Sequence, residues 1–147
     1  MIKNKNYSYL LVASQFTCIA LLIYLNQKMF VKTIPILIFL SGIMFFIYTI
    51  LFNKLSNFNI IPDIKDGAIL VTAGAYKYIR HPMYFAVIIT MFAPLSNSFN
   101  FTNLIISSIL IITMFLKAKK EEYLWHIESI EYKSYMKNTK MIIPFVL

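Results

Sequence analysis

Two short polar segments hold most of the side chains that could do chemistry in this chain. The first, residues 70–84, contains the consecutive residues Arg80, His81 and Pro82. Proline suits the first turn of a helix, so a helix is expected to begin there. The N-terminus of a helix attracts anions, and an arginine beside it adds a bidentate clamp for a carboxylate. This segment therefore favours binding of an anionic group.

The second segment offers the opposite charge. It begins at Lys117 and contains the adjacent carboxylates Glu121 and Glu122, which suit an ammonium or a sulfonium group. Aromatic faces for an adenine or a cation come from three residues across the two segments: Tyr76, Tyr84 and Trp125. A ligand with a carboxylate, an amine, a sulfonium and an adenine matches this combined set. S-adenosylmethionine is such a ligand.

Each of these residues has a plainer interpretation when it is taken alone. Arg80 and His81 could anchor the chain at a membrane interface. Glu121 with Lys117 could be an i,i+4 ion pair on a solvated helix face. The tyrosines could belong to an aromatic belt at the membrane surface. Only the combination of residues favours a ligand site.

The composition places the chain in a membrane. Of its 147 residues, 59% are hydrophobic and 14% are charged, and the mean hydropathy is +0.69. A soluble domain has about 45–50% apolar and about 25% charged residues. The net charge of +8 comes from residues at the ends of apolar runs, so we interpret them as membrane anchors and expect no nucleic acid partner. With a single cysteine, Cys18, neither an internal disulfide nor a metal site is expected.

Four apolar runs predict an all-α helical bundle with four membrane segments in two hairpins. The runs cover residues 7–25, 33–52, 83–95 and 101–116. The first two have about 20 residues, which is the length that spans a bilayer. The third is too short to span upright, and a polar turn joins it to the fourth. Residues 118–137 then predict a separate amphipathic helix on the membrane surface.

The distribution of lysine and arginine predicts the orientation. Twelve of the 14 lie near the N-terminus, in the 54–80 loop or in the C-terminal tail, and only Lys28 and Lys32 lie in the opposite turns. Positive residues accumulate on the cytoplasmic side, so both termini are expected there. Because an antiparallel hairpin returns to the side where it starts, residues 80–84 and 117–122 should meet at the same cytoplasmic face.

The two polar segments resemble a known family. Residues 70–84 read L-V-T-x-G-x-Y-x-x-x-R-H-P-x-Y, similar to the signature of the isoprenylcysteine carboxyl methyltransferase family, which itself resembles membrane phospholipid methyltransferases. Between residues 117 and 145 a basic residue, a Glu pair, a Leu, Y-x-x-Y and I-P-F follow in the family's order. The resemblance covers residues 67–147. It implies one membrane domain, with residues 1–53 as an N-terminal hairpin and residues 67–147 as a cofactor-binding half.

The resemblance also implies roles for individual residues. The implied cofactor-binding residues are Leu70, Val71, Tyr76, His81, Pro82, Met83 and Tyr84. Glu121 matches a family glutamate that contacts the cofactor, although the spacing to the tyrosines that follow leaves open whether Glu122 has this role. Lys117 stands where the family often has an arginine near the methyl acceptor, so it is implied to bind substrate. Arg80 and Glu121 are the candidate catalytic residues.

The resulting hypothesis is methyl transfer from S-adenosylmethionine to a lipophilic, membrane-borne acceptor. The acceptor could be the carboxyl of a prenylcysteine-like group, or a lipid amine or thiol. One alternative is a nicotinamide-dependent membrane reductase, since related membrane enzymes have similar C-terminal halves. Another is a small non-enzymatic membrane protein, such as a scaffold or a transporter subunit. Beyond membrane lipids and the acceptor, the sequence specifies no partner and no oligomeric state.

Overall fold

The computed structural model of the protein describes residues 4–53 and 57–146, and this part of the chain is helical without any named strand. The predicted orientation also used Lys3 and Lys54, which lie outside the described residues. The helices are α1 (Lys5–Leu25), α2 (Thr33–Asn53), α3 (Pro82–Asn97), α4 (Phe101–Glu128) and α5 (Ile130–Asn138).

Three of these helices, α1, α2 and α4, are long and apolar enough to cross a membrane. The third predicted segment corresponds to α3, an apolar helix of 16 residues. At about 1.5 Å per residue it is about 24 Å long, less than the roughly 30 Å of a hydrocarbon core. The helical membrane class is therefore confirmed, with three candidate spans and one shorter apolar helix.

Local sequence explains where the helices begin. The Asn4 side chain caps α1 by accepting a hydrogen bond from the Asn6 N–H at 2.9 Å. The Asn100 side chain caps α4 in the same way, by accepting a hydrogen bond from the Asn103 N–H at 2.9 Å. Pro82 is the first residue of α3, as its position in the sequence predicts.

The helices do not pack mainly within the two predicted hairpins. The most extensive packing joins α2 to α3 and α1 to α4. Gly42 makes the first pairing possible, because a Cβ atom there would lie only 2.6 Å from the Thr90 backbone nitrogen. Small residues allow such close approach of membrane helices. In the second pairing, the Ser14 and Thr113 hydroxyls lie 3.0 Å apart and form a hydrogen bond.

The prediction of one amphipathic helix over residues 118–137 is wrong. Helix α4 continues without a break to Glu128, and the short α5 follows. The break falls at Ser129, which has an extended backbone and caps α5 by accepting a hydrogen bond from the Tyr132 N–H at 3.3 Å. With 28 residues, α4 is about 42 Å long and exceeds the hydrocarbon core by about two turns. The residues after Lys117 are thus carried on a rigid extension of a membrane helix.

Candidate active site

A polar cleft of about 820 Å³, its mouth included, lies beside the N-terminus of α3 and the extension of α4. The predicted residues that line it are Leu70, Val71, Tyr76, Arg80, His81, Met83, Tyr84 and Glu121. Pro82, Glu122 and Lys117 do not line this cleft. The structure therefore brings most of the predicted cofactor-binding residues around one cavity.

The C-terminal tail fixes the segment that precedes α3. The Arg80 N–H donates to the Lys140 carbonyl at 2.8 Å, and the His81 N–H donates to the Met141 carbonyl at 2.9 Å. The Lys140 N–H donates in turn to the Tyr78 carbonyl at 3.0 Å. This short parallel bridge presents Arg80 and His81 to α4 immediately before the helix begins.

Arg80 forms a buried ion pair with Glu122. The guanidinium Nε donates to Glu122 Oε1 at 2.5 Å, and the two side chains are 8% and 7% exposed. Arg80 Nη1 donates to the carbonyls of Met136, at 3.3 Å, and Thr139. Arg80 therefore joins α4 to the end of α5. Nε and Nη1 thus donate to acceptors within the protein, so the predicted carboxylate clamp is largely occupied.

Glu121 is the member of the glutamate pair that faces the cleft. The Tyr84 hydroxyl donates to Oε1, and His81 Nδ1 lies 3.4 Å from Oε2. The His81 and Tyr84 rings stack with centroids 5.5 Å apart. Two aromatic side chains thus orient this carboxylate, which is 22% exposed.

His81 lies between the two carboxylates. Its Nε2 atom is 3.6 Å from Glu122 Oε1 and forms no hydrogen bond with any described residue. Burial lowers the pKa of His81, but the neighbouring Glu121 and Glu122 raise it more, so the pKa lies above its usual value. The imidazolium form is therefore favoured in the fold.

This raised pKa predicts a dependence of stability on pH. Below about 6.5, the ordinary pKa of histidine, the proton is bound in both the folded and unfolded states and its stabilising contribution is complete. As the pH rises through the folded-state pKa, the contribution is lost. We expect the melting temperature in detergent to fall over this range for the wild type and much less for His81→Gln. Equal slopes for the two proteins would contradict this interpretation.

Lys117 lies at the end of a second cavity. Its ammonium donates to Gln15 Oε1 at 2.6 Å and to the Ile60 carbonyl at 2.9 Å, and it lies 5.2 Å from the centroid of the Tyr84 ring. The residue is 1% exposed. The family resemblance implies that Lys117 binds substrate, and in the structure Lys117 lines this second cavity and not the cleft.

This second cavity is an apolar groove of about 960 Å³, its open side included, between α1, α2 and α3. Its side chains along α1 and α2 are Phe16, Ile19, Ile23, Phe39, Ile43 and Phe46. Three residues line both the groove and the cleft: Asn59, Met83 and Tyr84. The polar and apolar cavities therefore meet at a shared wall.

Several cleft residues were not among the predicted site residues. They are Asn53, Asn57, Asn59, Asp63, Ile64, Lys65, Ala68, Ile69, Trp125, Tyr132 and Tyr135. Trp125 was identified from the sequence only as an aromatic face. Tyr132 and Tyr135 were identified only as the tyrosines of the family's Y-x-x-Y motif. The polar residues after α2 carried a weaker signal, because asparagine and aspartate are also ordinary loop residues.

The tyrosines of the cleft act as neutral hydrogen-bonding groups. Burial raises the pKa of Tyr76, Tyr132 and Tyr135 well above the ordinary value. The Tyr135 hydroxyl donates to the Tyr76 carbonyl at 2.5 Å, which ties α5 to the loop before α3. The Trp125 and Tyr132 rings stack with centroids 5.9 Å apart. These side chains give the cleft a rigid aromatic wall.

The residues present fit an adenosyl ligand with positive charges. The carboxylates of Asp63 and Glu121 line the cleft together with the aromatic wall. Cation–π contacts with the aromatic rings favour a cationic ligand further.

The fold and the site define a helical membrane protein in which a polar cleft adjoins an apolar groove. The chain belongs to the isoprenylcysteine carboxyl methyltransferase (ICMT) family, since the family model matches residues 33–126, well over half of its length. The family resemblance of the sequence is thereby confirmed, and membership implies a membrane methyltransferase activity. The match runs from α2 to near the end of α4. No curated protein and no solved structure matches the chain.

Proposed function

We propose that the protein transfers a methyl group from S-adenosylmethionine to a membrane-borne, lipophilic acceptor. The observation that carries this proposal is the wall of Asn59, Met83 and Tyr84 that the polar cleft and the apolar groove share. A water-soluble cofactor in the cleft and a lipid chain in the groove would meet at this wall. Membership of the methyltransferase family supports the same reaction.

The cofactor supplies an electrophilic methyl group on a sulfonium sulfur. The chain's task is to hold the acceptor and the methyl group in line, about 3–3.5 Å apart, and to exclude water. Glu121 provides negative charge on the cleft side of the shared wall, and Tyr84 and His81 hold its carboxylate in place. Met83 and Tyr84 separate this region from the apolar groove.

The acceptor decides whether a proton must move. A carboxylate acceptor is already ionised, so positioning suffices. An amine or thiol acceptor must lose a proton, and Glu121, whose partner Tyr84 forms part of the shared wall, is then the candidate base. Lys117 lies at the polar end of the groove, where its positive charge favours an anionic or polar head group. The predicted orientation places the cleft on the cytoplasmic side.

The first test is equilibrium binding of S-adenosylmethionine to detergent-purified protein. We expect saturable binding that weakens about 10- to 100-fold in Glu121→Gln, because a charge-assisted contact is worth roughly 1.5–3 kcal/mol. His81→Ala should also weaken binding, since it removes one of the two side chains that orient Glu121. Glu128→Gln, an exposed position on the same helix, serves as the matched control and should bind as the wild type does.

The second test is transfer of a labelled methyl group to membrane lipid extracts. Transfer to a lipid fraction by the wild type, reduced in Glu121→Gln, would support the proposal and identify the acceptor class. If folded wild-type protein bound no S-adenosylmethionine, the proposal would be wrong. Unchanged affinity of Glu121→Gln for S-adenosylmethionine would show that Glu121 does not bind the cofactor.

A further inference from the structure

Asp63 contributes a second carboxylate to the cleft, from the loop that follows α2. It is one of the cleft-lining residues, and its side chain is 28% exposed. Its Oδ1 atom forms an ion pair with Lys120 Nζ at 2.8 Å. The Ser8 hydroxyl lies 3.2 Å from each of its two oxygens. The carboxylate is thus fixed in orientation.

The groups that hold Asp63 are buried behind it. The Lys120 side chain is 1% exposed and Ser8 is fully buried. Lys120 also donates to the Ser8 hydroxyl and to the Asn4 carbonyl, the latter at 3.4 Å. Because the contacts to α1 and α4 come from the protein interior, the exposed part of the Asp63 carboxylate faces the cleft.

A second buried lysine holds the same loop. Lys117, one helical turn before Lys120 on α4, donates to the Ile60 carbonyl. The loop is therefore attached to α4 at two points, Ile60 and Asp63. Burying lysine side chains is costly unless they are paired. Two buried lysines aimed at one loop indicate that the position of this loop matters for the cleft that it walls.

The two carboxylates of the cleft, Glu121 and Asp63, can bind different cationic groups of the cofactor. The proposed cofactor carries two cationic groups, a sulfonium and an α-ammonium. Glu121 is hydrogen-bonded to Tyr84, which forms part of the wall shared with the acceptor groove, so Glu121 lies where the reacting sulfonium is needed. Asp63 is the other carboxylate among the cleft-lining residues that the structure describes.

We propose that Asp63 binds the α-ammonium of the cofactor's amino-acid moiety, and that Lys120 and Ser8 are positioning residues for Asp63. This assignment rests on the proposed function. Lys120 does not touch the ligand in this arrangement. It holds the carboxylate in orientation, and it couples the cleft to α1 through Ser8.

The experiment compares two adenosyl probes by equilibrium binding. S-adenosylhomocysteine retains the α-ammonium and lacks the sulfonium charge, whereas 5′-methylthioadenosine lacks the amino-acid moiety altogether. We expect Asp63→Asn to weaken S-adenosylhomocysteine binding by about 10-fold or more, as loss of a charged hydrogen bond predicts. Binding of 5′-methylthioadenosine should change less than about twofold, which also shows that the variant is folded.

Lys120→Met tests the positioning role. It should weaken S-adenosylhomocysteine selectively, as Asp63→Asn does, and the double variant should be no weaker than the stronger single variant, because the two residues act as one unit. Lys119→Met, an exposed neighbour, is the matched control. The assignment is overturned if Asp63→Asn loses affinity equally for both probes, or if its affinity for S-adenosylhomocysteine is unchanged. If folded wild-type protein binds neither probe, the proposed function fails, and the assignment fails with it.

Discussion

Glu122→Ala is expected to lower the free energy of unfolding by about 3–5 kcal/mol, because it leaves a buried guanidinium without its carboxylate. The Arg80 and Glu122 side chains are 8% and 7% exposed, so water cannot replace the lost partner. The same substitution removes one of the two carboxylates that face His81. The measurement is unfolding in mixed micelles by titration with a denaturing detergent, followed by circular dichroism.

Two variants make this result specific. Glu128→Ala changes an exposed glutamate on the same helix and should cost less than about 0.5 kcal/mol, as surface substitutions usually do. The double variant Arg80→Met with Glu122→Leu replaces the pair by apolar groups and should recover much of the stability. A loss below about 1 kcal/mol in Glu122→Ala would show that the pair is not buried as the structure places it.

Ile43→Trp is expected to lower kcat/KM for a lipid acceptor by about 10- to 100-fold, because the larger side chain fills the apolar groove. Ile43 lies on the groove-lining face of α2 together with Phe39 and Phe46. The cleft does not include Ile43, so the affinity for S-adenosylmethionine should stay within about twofold of the wild type. Initial rates of labelled methyl transfer, measured with the acceptor class found in lipid extracts, test this effect.

Ile47→Trp provides the matched control. Ile47 lies one turn further along α2, is 54% exposed and is not among the groove-lining residues. The same substitution there adds bulk toward the lipid and should leave kcat/KM unchanged. If both variants were equally active, the acceptor would not occupy the groove. If Ile43→Trp instead lost cofactor affinity, the two cavities would not be separate binding regions.

Sequence and local structure together predicted which polar residues lie at the start of α3. Pro82 fixes the start of α3 because its ring and missing N–H suit a first helical turn. Arg80 and His81 therefore had to lie at that helix end, and the short hairpin had to return Glu121 to the same level. The structure brings these residues together around the cleft. Their roles toward a cofactor stay predictions that the binding experiments test.

The sequence could not separate the two glutamates. Adjacent residues on a helix point about 100° apart, so only one of Glu121 and Glu122 can face a given cavity. The choice depends on how α4 is rotated. The contact of Glu122 with Arg80, which the C-terminal tail holds in place, fixes that rotation and turns Glu121 into the cleft.

The packing of the membrane helices was also beyond the sequence pattern. Lipid and protein interior are equally apolar, so hydrophobic periodicity does not mark which faces pack together. The pairing of α2 with α3 depends on the close approach of Gly42 and Thr90. The continuation of α4 past Lys117 was missed because the change from apolar to charged residues there was interpreted as the start of a new helix. A helix can leave the membrane without a break, since its backbone hydrogen bonds do not depend on the solvent around its side chains.

The sequence by itself determined the helical membrane class, the lengths of the first two apolar helices, the start of α3 and the family signature. These features follow from composition, local backbone preference and residues close together along the chain. Only the tertiary structure decided that Lys117 and Lys120 are buried, since lysines at a membrane boundary are ordinarily anchors. Their partners, Gln15 and Asp63, are distant in sequence, and no local pattern encodes such contacts.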